Sequence, residues 1–301
     1  MRFFLFLSFF FFSNIFMSKP FVVTTFSILQ DMVHEIGGDK IELKNLVGPN
    51  QDTHVFEPRP ENAKNLAHAK LIIKNGLGLE GWLDRLIQAS GFHGQTVVAS
   101  KGIRPIFHGR RRFVDPHAWH SLENAQIYVD NVVEGLSALL PEDAKYFKAR
   151  GEAYKEQLKM LQEKTNHELE TIPLQNRKVI SNHNAFDYLG REFHITFFAP
   201  LGISTDAEPS AMTVVNLIKR IKKEKIHVMF AENISNSRLL NQISKETGAT
   251  IAGVLYSDAL SEPGTEADTY LKMMEFNLSA LIKAFHEEKS PSASFERGAT
   301  P

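Results

Sequence analysis

The sequence predicts an α/β protein of two lobes, each a mostly parallel sheet flanked by helices, joined by one long rigid helix. Three observations predict it. Strand-like runs alternate with segments of helical spacing through both halves of the chain, the pattern of parallel strands covered on both faces. Between the halves, apolar or small residues recur at Phe147, Gly151, Tyr154, Leu158 and Leu161, a narrow stripe down one side of a helix. The length, 301 residues, is sufficient for two domains with cores of their own.

Taken in order, Phe21 to Thr25 is a β-branched and aromatic run, and Phe26 to Ile36 has helical spacing that stops at Gly37-Gly38. Ile41 to Val47 reads as a second strand, ended by Gly48-Pro49-Asn50. A helix over Glu61 to Ala69 leads to the strand Leu71 to Lys74, a helix over Leu79 to Ala89 precedes the strand Thr96 to Ala99, and Gly102 to Val114 reads as a polar, basic loop. Ser121 caps a helix that runs to Leu140. The connector follows. Pro141 takes a favoured first helical position, and Glu142 and Asp143 place negative charge in the first turn. About thirty residues at ~1.5 Å each make a rod of roughly 45 Å, too long for one small lobe.

The second half repeats the alternation. Lys178 to Ser181, Ile195 to Ala199, Val228 to Ala231 and Ala249 to Leu255 are strands; Ala185 to Glu192, Ala211 to Lys225 and Ser237 to Thr247 are helices. Thr269 to His286 closes the fold as an amphipathic helix with Leu271, Met274, Leu278 and Leu281 on one side. The expected division is a signal peptide over 1–18, an N-terminal lobe over 19–140, the linking helix over 141–171, a C-terminal lobe over 172–288 and a disordered tail over 289–301.

Composition narrows the function. The net charge of −1 and the short basic clusters at Arg110 to Arg112 and Lys219 to Lys225 argue against nucleic acid, which needs a broad basic stripe. Arg2 followed by the apolar run Phe3 to Phe12 fits the core of a secretory signal and is too short to span a bilayer. No residue is cysteine, which removes disulfides, thiolate metal sites, cysteine nucleophiles and any lipid-bearing cysteine. A soluble periplasmic protein, secreted through a cleavable signal, not lipid-anchored and monomeric, is the expectation.

Of the twelve histidines, three stand where a strand has ended and a polar loop begins: His54 in Asp52-Thr-His54, His117 in Asp115-Pro-His117-Ala-Trp119, and His183 in Ser181-Asn-His183. Asp258, after the last strand, is the matching carboxylate. Ligands of open α/β sheets bind at the carboxyl ends of strands, and three imidazoles with one carboxylate suit a divalent ion. With gaps of 63, 66 and 75 residues, the four form no local signature. His120 is a reserve ligand, expected to be an exposed helix entry; Trp119 is expected to pack beneath the ligand loop. Asp52, Glu57, Asp115, Glu208 and Glu232 are candidates to orient the imidazoles.

Motifs in both halves point further. Thr25-Phe-Ser-Ile-Leu-Gln-Asp31, Asp52-Thr-His54 with Glu57-Pro58, Asn75-Gly-Leu-Gly-Leu-Glu80 before Trp82, Asp115-Pro-His117-Ala-Trp119, Glu208-Pro-Ser210, Phe230-Ala-Glu232-Asn-Ile-Ser-Asn236 and Lys245-Glu-Thr-Gly248 recur in order along the chain. Through them the sequence resembles the solute-binding receptors of bacterial zinc and manganese ABC importers, from about Val22 to His286. The resemblance implies that His54, His117, His183 and Asp258 are the metal ligands, set between two α/β lobes. It further implies a rigid connector with limited lobe movement and delivery of the ion to the importer's transmembrane permease.

The chain also departs from its apparent relatives. Zinc-dedicated receptors often carry a long histidine-rich loop before Asp-Pro-His, where this chain has only His108; Thr53 stands where they often have a carboxylate. Manganese-dedicated receptors often place Glu where this chain has His183. The expected ligand is therefore Mn(II) or Zn(II), as cargo, with no enzyme activity. The rival readings are a zinc-dependent hydrolase and a metal-stabilised adhesin; neither His-Glu-x-x-His nor Gly-x-Ser-x-Gly occurs to favour the hydrolase.

Overall fold

The computed structural model describes residues 18–110 and 112–287. The leader read over 1–18, apart from Ser18, and the tail read over 289–301 lie outside the described residues, as does Arg111.

Strands β1 (Phe21–Phe26), β2 (Glu42–Val47), β3 (Leu71–Lys74) and β4 (Gln95–Val98) form one sheet in the order β2-β1-β3-β4, with every pair parallel. A two-stranded antiparallel hairpin, β5 (Phe107–His108) and β6 (Phe113–Val114), follows. A second sheet holds β7 (Lys178–Ile180), β8 (Thr196–Phe198), β9 (Val228–Glu232) and β10 (Thr250–Leu255), again all parallel, in the order β10-β9-β7-β8. In the first sheet the winding reverses between β1 and β3, and in the second between β7 and β9, the places where open α/β sheets leave a crevice.

The helices are α1 (Ser27–Gly37), α2 (Pro60–His68), α3 (Leu83–Ser90), α4 (Leu122–Leu139), α5 (Ala144–Leu169), α6 (Asp187–Phe193), α7 (Ala211–Glu224), α8 (Arg238–Thr247) and α9 (Tyr270–Glu287). Helix α5 is the connector, at 26 residues and about 39 Å. Its apolar stripe buries Phe147, Gly151, Tyr154 and Leu158 and leaves Leu161 partly buried. It packs on α1 and α4 of the first half and on α9 from the end of the chain. Gly151 makes the α4 crossing possible, because a Cβ there would stand 2.6 Å from Val133 Cγ2. The larger apolar cluster is continuous, from Val22 and Ile72 in the first sheet through Phe147 and Leu158 to Phe186, Phe230 and Met274. Such a shared core resists wide separation of the halves.

Three expectations need correction. Pro141–Asp143 is a single 3-10 turn, and the α-helix begins at Ala144; the Asp143 and Ala144 amides bond three residues back, to Leu140 and Pro141. The helix expected from Leu79 begins at Leu83, because Glu80 draws the preceding backbone into a turn: its carboxylate accepts from the amides of Asn75 (2.6 Å) and Gly76 (3.1 Å). The polar loop Gly102 to Val114 contains the β5–β6 hairpin, whose two-residue strands are too short for an alternating pattern.

Candidate metal centre

His54, His117, His183 and Asp258 converge. Each offers one ligand atom, and these atoms all lie within 4.8 Å of one another. His117 Nε2 is 3.1 Å from His54 Nε2 and 3.2 Å from His183 Nε2. Asp258 Oδ2 is 3.2 Å from His54 Nε2 and 3.4 Å from His183 Nε2, and Oδ1 is 3.5 Å from His117 Nε2. Donors about 2.05 Å from a common tetrahedral ion stand about 3.3 Å apart, which is the spacing seen. The side chains of His117, His183 and Asp258 are fully buried and that of His54 is 5% exposed, so the group is closed to bulk water.

Strand ends and helix starts place the four. His183 follows β7 and Asp258 follows β10 by three residues each, while His54 lies in the loop after β2. His117 departs from the expected rule: the strand that ends before it is β6 of the hairpin, not a strand of the parallel sheet. Each loop is pinned from beneath. Trp82 Nε1 donates to the Thr53 carbonyl (3.0 Å), and the His54 amide donates to Asp52 Oδ1 (2.8 Å). Asp52 Oδ2 accepts from Thr205 Oγ1 (2.5 Å), tying this loop to the opposite half. Asn75 Nδ2 holds the Pro116 carbonyl (2.9 Å), immediately before His117. The Asn75 side chain in turn accepts a bond from Tyr128, and its backbone is fixed by Glu80, which also accepts from Thr25 Oγ1. Gly76 completes this clamp at φ +84°, where a Cβ would meet Val98 at 2.5 Å. Asn233 Oδ1 accepts from the Ser257 amide (3.3 Å) and its Nδ2 donates to Ala259 O (3.1 Å), straddling Asp258.

Second carboxylates set the imidazole tautomers. His117 Nδ1 is 2.8 Å from Asp115 Oδ1, and His183 Nδ1 is 2.5 Å from Glu232 Oε2. Ionised carboxylates only accept, so both Nδ1 atoms carry hydrogen, and each Nε2 faces inward as the atom a metal takes once that nitrogen has lost any proton of its own. Asp115 and Glu232 also accept from the backbone amides of His117 (3.0 Å) and His183 (2.9 Å), which locks each ring against its own loop. Of the orienting groups expected, these two bond imidazoles, whereas Asp52 bonds the His54 amide and the Thr205 hydroxyl and no imidazole; Glu57 and Glu208 are exposed.

The centre holds more carboxylate charge than its protons balance. Neither oxygen of Asp258 receives a well-directed hydrogen bond among the described residues, although both are buried. A buried anion without a directed donor, ringed by inward-facing ring nitrogens, is an arrangement that a cation relieves. Protons supply part of that relief. Burial works against a charged His183, but Glu232 and Asp258 outweigh it and hold its imidazole well above the usual histidine range. Burial would likewise raise Asp258, yet His183 and His117 hold it well below the carboxylate range. Asp115 is also held low: burial opposes its ionisation, and the bonds from His108 and His117 more than compensate.

His120 is not the exposed helix entry the sequence led us to expect. It is fully buried at the end of a 3-10 turn, with its ring 4.6 Å from that of Phe186. Neither ring nitrogen has a partner among the described residues, and burial pushes its pKa down to about 3. It is not among the four converging residues. Trp119 packs as expected, its ring 5.3 Å from that of His117 and its Nε1 donating to Ser257 O (3.0 Å). The Asn75–Glu80 clamp carried no role in the sequence reading; a glutamate five residues beyond an Asn-Gly turn was its available signal.

Comparison with known proteins follows the same lines. The family model described as zinc-uptake complex component A, periplasmic, matches residues 22–284. The manganese ABC transporter substrate-binding lipoprotein PsaA of Streptococcus pneumoniae is 30% identical over 275 residues, 88% of this chain and 89% of that protein. The iron-binding protein YfeA of Yersinia pestis is 30% identical, over 88% of this chain and 86% of its own. Among solved structures, the periplasmic zinc-binding protein TroA of Treponema pallidum superposes with a TM-score of 0.84 at 28% identity, covering 89% of this chain and 99% of its own. The Mn-bound periplasmic metal-binding protein of Candidatus Liberibacter asiaticus gives a TM-score of 0.82 at 28% identity, covering 89% of this chain and 100% of its own.

Proposed function

Because the chain belongs to the family of the periplasmic zinc-uptake component A, we propose that it captures Mn(II) or Zn(II) and delivers the ion to the permease of an ABC importer. The observation that carries this reading is the inward convergence of three imidazole Nε2 atoms on a buried carboxylate that accepts no well-directed hydrogen bond among the described residues. In the proposed cycle His54, His117 and His183 donate lone pairs and Asp258 supplies an anion. Asp115 and Glu232 add two further negative charges behind the imidazoles, raising their basicity toward the ion. No covalent step is involved.

Three imidazoles favour zinc on intrinsic affinity, whereas a carboxylate able to bind through both oxygens suits manganese, so both ions fit the donor set. The lobes are 19–140 and 172–288, with 141–171 as the connector. The shared core supports movement of loops rather than wide opening. A monomer released freely by osmotic shock is the form proposed, since no cysteine is present to carry a lipid. Calorimetric titration of the purified chain with Mn(II) and Zn(II) under identical conditions tests the assignment. His117→Ala is expected to weaken binding of both ions while the circular dichroism of the fold persists; unchanged affinity contradicts the proposal.

A further inference from the structure

We propose that His108, Asp115 and Asp187 form a second divalent-cation site, weaker and nearer to solvent than the first, which shares the Asp115 carboxylate with it. The three come from separate places: the end of β5, the residue two before His117, and the first residue of α6. Their ligand atoms lie within 4.8 Å of one another. His108 Nε2 is 3.2 Å from Asp115 Oδ2 and 3.4 Å from Asp187 Oδ2. Asp115 faces both ways, with Oδ1 committed to the ring and amide of His117 and Oδ2 turned outward to His108.

One imidazole does not neutralise two carboxylates, and no Lys or Arg forms an ion pair with either among the described residues. Two guanidinium groups near the cluster, those of Arg112 and Arg191, are engaged elsewhere. Arg112 lies 4.4 Å over the Phe107 ring, and Arg191 lies 5.0 Å over Tyr188 and reaches the Arg104 carbonyl. The support differs from that of the inner site: an amide nitrogen, not a carboxylate, faces Nδ1, so an ion at His108 Nε2 displaces the proton shared with Asp115. Asn184 Nδ2 stands 3.4 Å from His108 Nδ1, and the Tyr188 hydroxyl donates to the Asp115 carbonyl (3.0 Å) while accepting from the Ile106 amide (3.1 Å). One hydroxyl thus binds the hairpin to the shared aspartate. One nitrogen and two carboxylate oxygens leave room for water ligands on a borderline divalent ion. The side chains of His108 and Asp187 are 24% and 30% exposed, whereas the inner donors are at most 5% exposed. An ion reaching the outer cluster stands one shared carboxylate away from the inner one.

The assignment goes beyond the transport reading, and the test separates the two. The full chain is loaded with one equivalent of Zn(II) and titrated with Mn(II), with free Mn(II) read by electron paramagnetic resonance. Uptake of one equivalent of Mn(II) is expected. Asp187→Asn and His108→Gln are each expected to weaken that uptake about tenfold or more, the usual range for losing a metal-site group, while the Zn(II) equivalent stays bound. The His108 change lies on a half-exposed hairpin and leaves the core intact, so it serves as a control should Asp187→Asn disturb α6. Wild-type protein that leaves all the Mn(II) free, or uptake that survives both substitutions, overturns the second site. Loss of the tight Zn(II) equivalent on His117→Ala concerns only the inner one.

Discussion

Glu232→Gln isolates the contribution of a group that touches no ion. Glu232 offers one oxygen to the His183 amide (2.9 Å) and the other to His183 Nδ1 (2.5 Å), at a position 2% exposed. Glutamine keeps the shape but has one acceptor for two donors and no charge. Losing such an orienting group costs about 10–100-fold in metal affinity, or ~1.4–2.7 kcal/mol. A second effect has the opposite sign. Glu232 is the first of the two charges that hold His183 protonated against its burial, so the wild-type site must expel a proton that the variant holds less firmly. The affinity ratio of wild type to variant is therefore largest at alkaline pH and shrinks as pH falls. Competition titrations with a chromophoric chelator across about pH 6 to 9 read both terms. An affinity equal to wild type at every pH refutes the orienting role, and a deficit that is constant with pH refutes the proton competition.

Two further predictions concern stability of the metal-free chain. His120, at a pKa of about 3 against an unfolded value of about 6.5, takes up its proton only on unfolding; its contribution is present above about pH 6.5 and lost as pH falls toward 3, amounting to about 2 kcal/mol by about pH 5. His120→Leu should flatten the acid limb of the stability curve in denaturant titrations, and a limb as steep as wild type contradicts the assignment. Asp31, on α1, accepts from the first amide of α9 (2.8 Å), and burial lifts its pKa to about 7. Because that value is raised, its contribution is present below the unfolded value of about 4 and lost as pH rises through about 7. Asp31→Asn should raise the melting temperature more at about pH 8.5 than at about pH 5; an equal shift at both contradicts it.

Much of the architecture was legible because each local signal had a simple physical origin. Apolar runs bounded by Gly, Pro and Asn located the eight strands of the two sheets within a few residues, and the four-three-four-three spacing from Phe147 to Leu161 located the connector. The hairpin was not legible, since Phe107–His108 and Phe113–Val114 are too short to carry a period. His120 was misread for a related reason: a single 3-10 turn sets its direction, and the packing of Phe186, 66 residues later, supplies the surface it buries. The four converging residues were found by their place after strands together with the family resemblance, because no spacing joins them. Asp187 acts through contacts across folded distances, as do Asn75 in reaching Pro116 and Glu80 in reaching Thr25, which a linear pattern does not encode.

In the proposed function one ion sits among four side chains drawn from both halves of the molecule. Anomalous scattering at the zinc edge, from crystals grown with one equivalent of Zn(II), measures that directly. A single dominant peak is expected about 2.0–2.2 Å from the Nε2 atoms of His54, His117 and His183 and from an oxygen of Asp258. A dominant peak beyond bonding reach of these residues contradicts it.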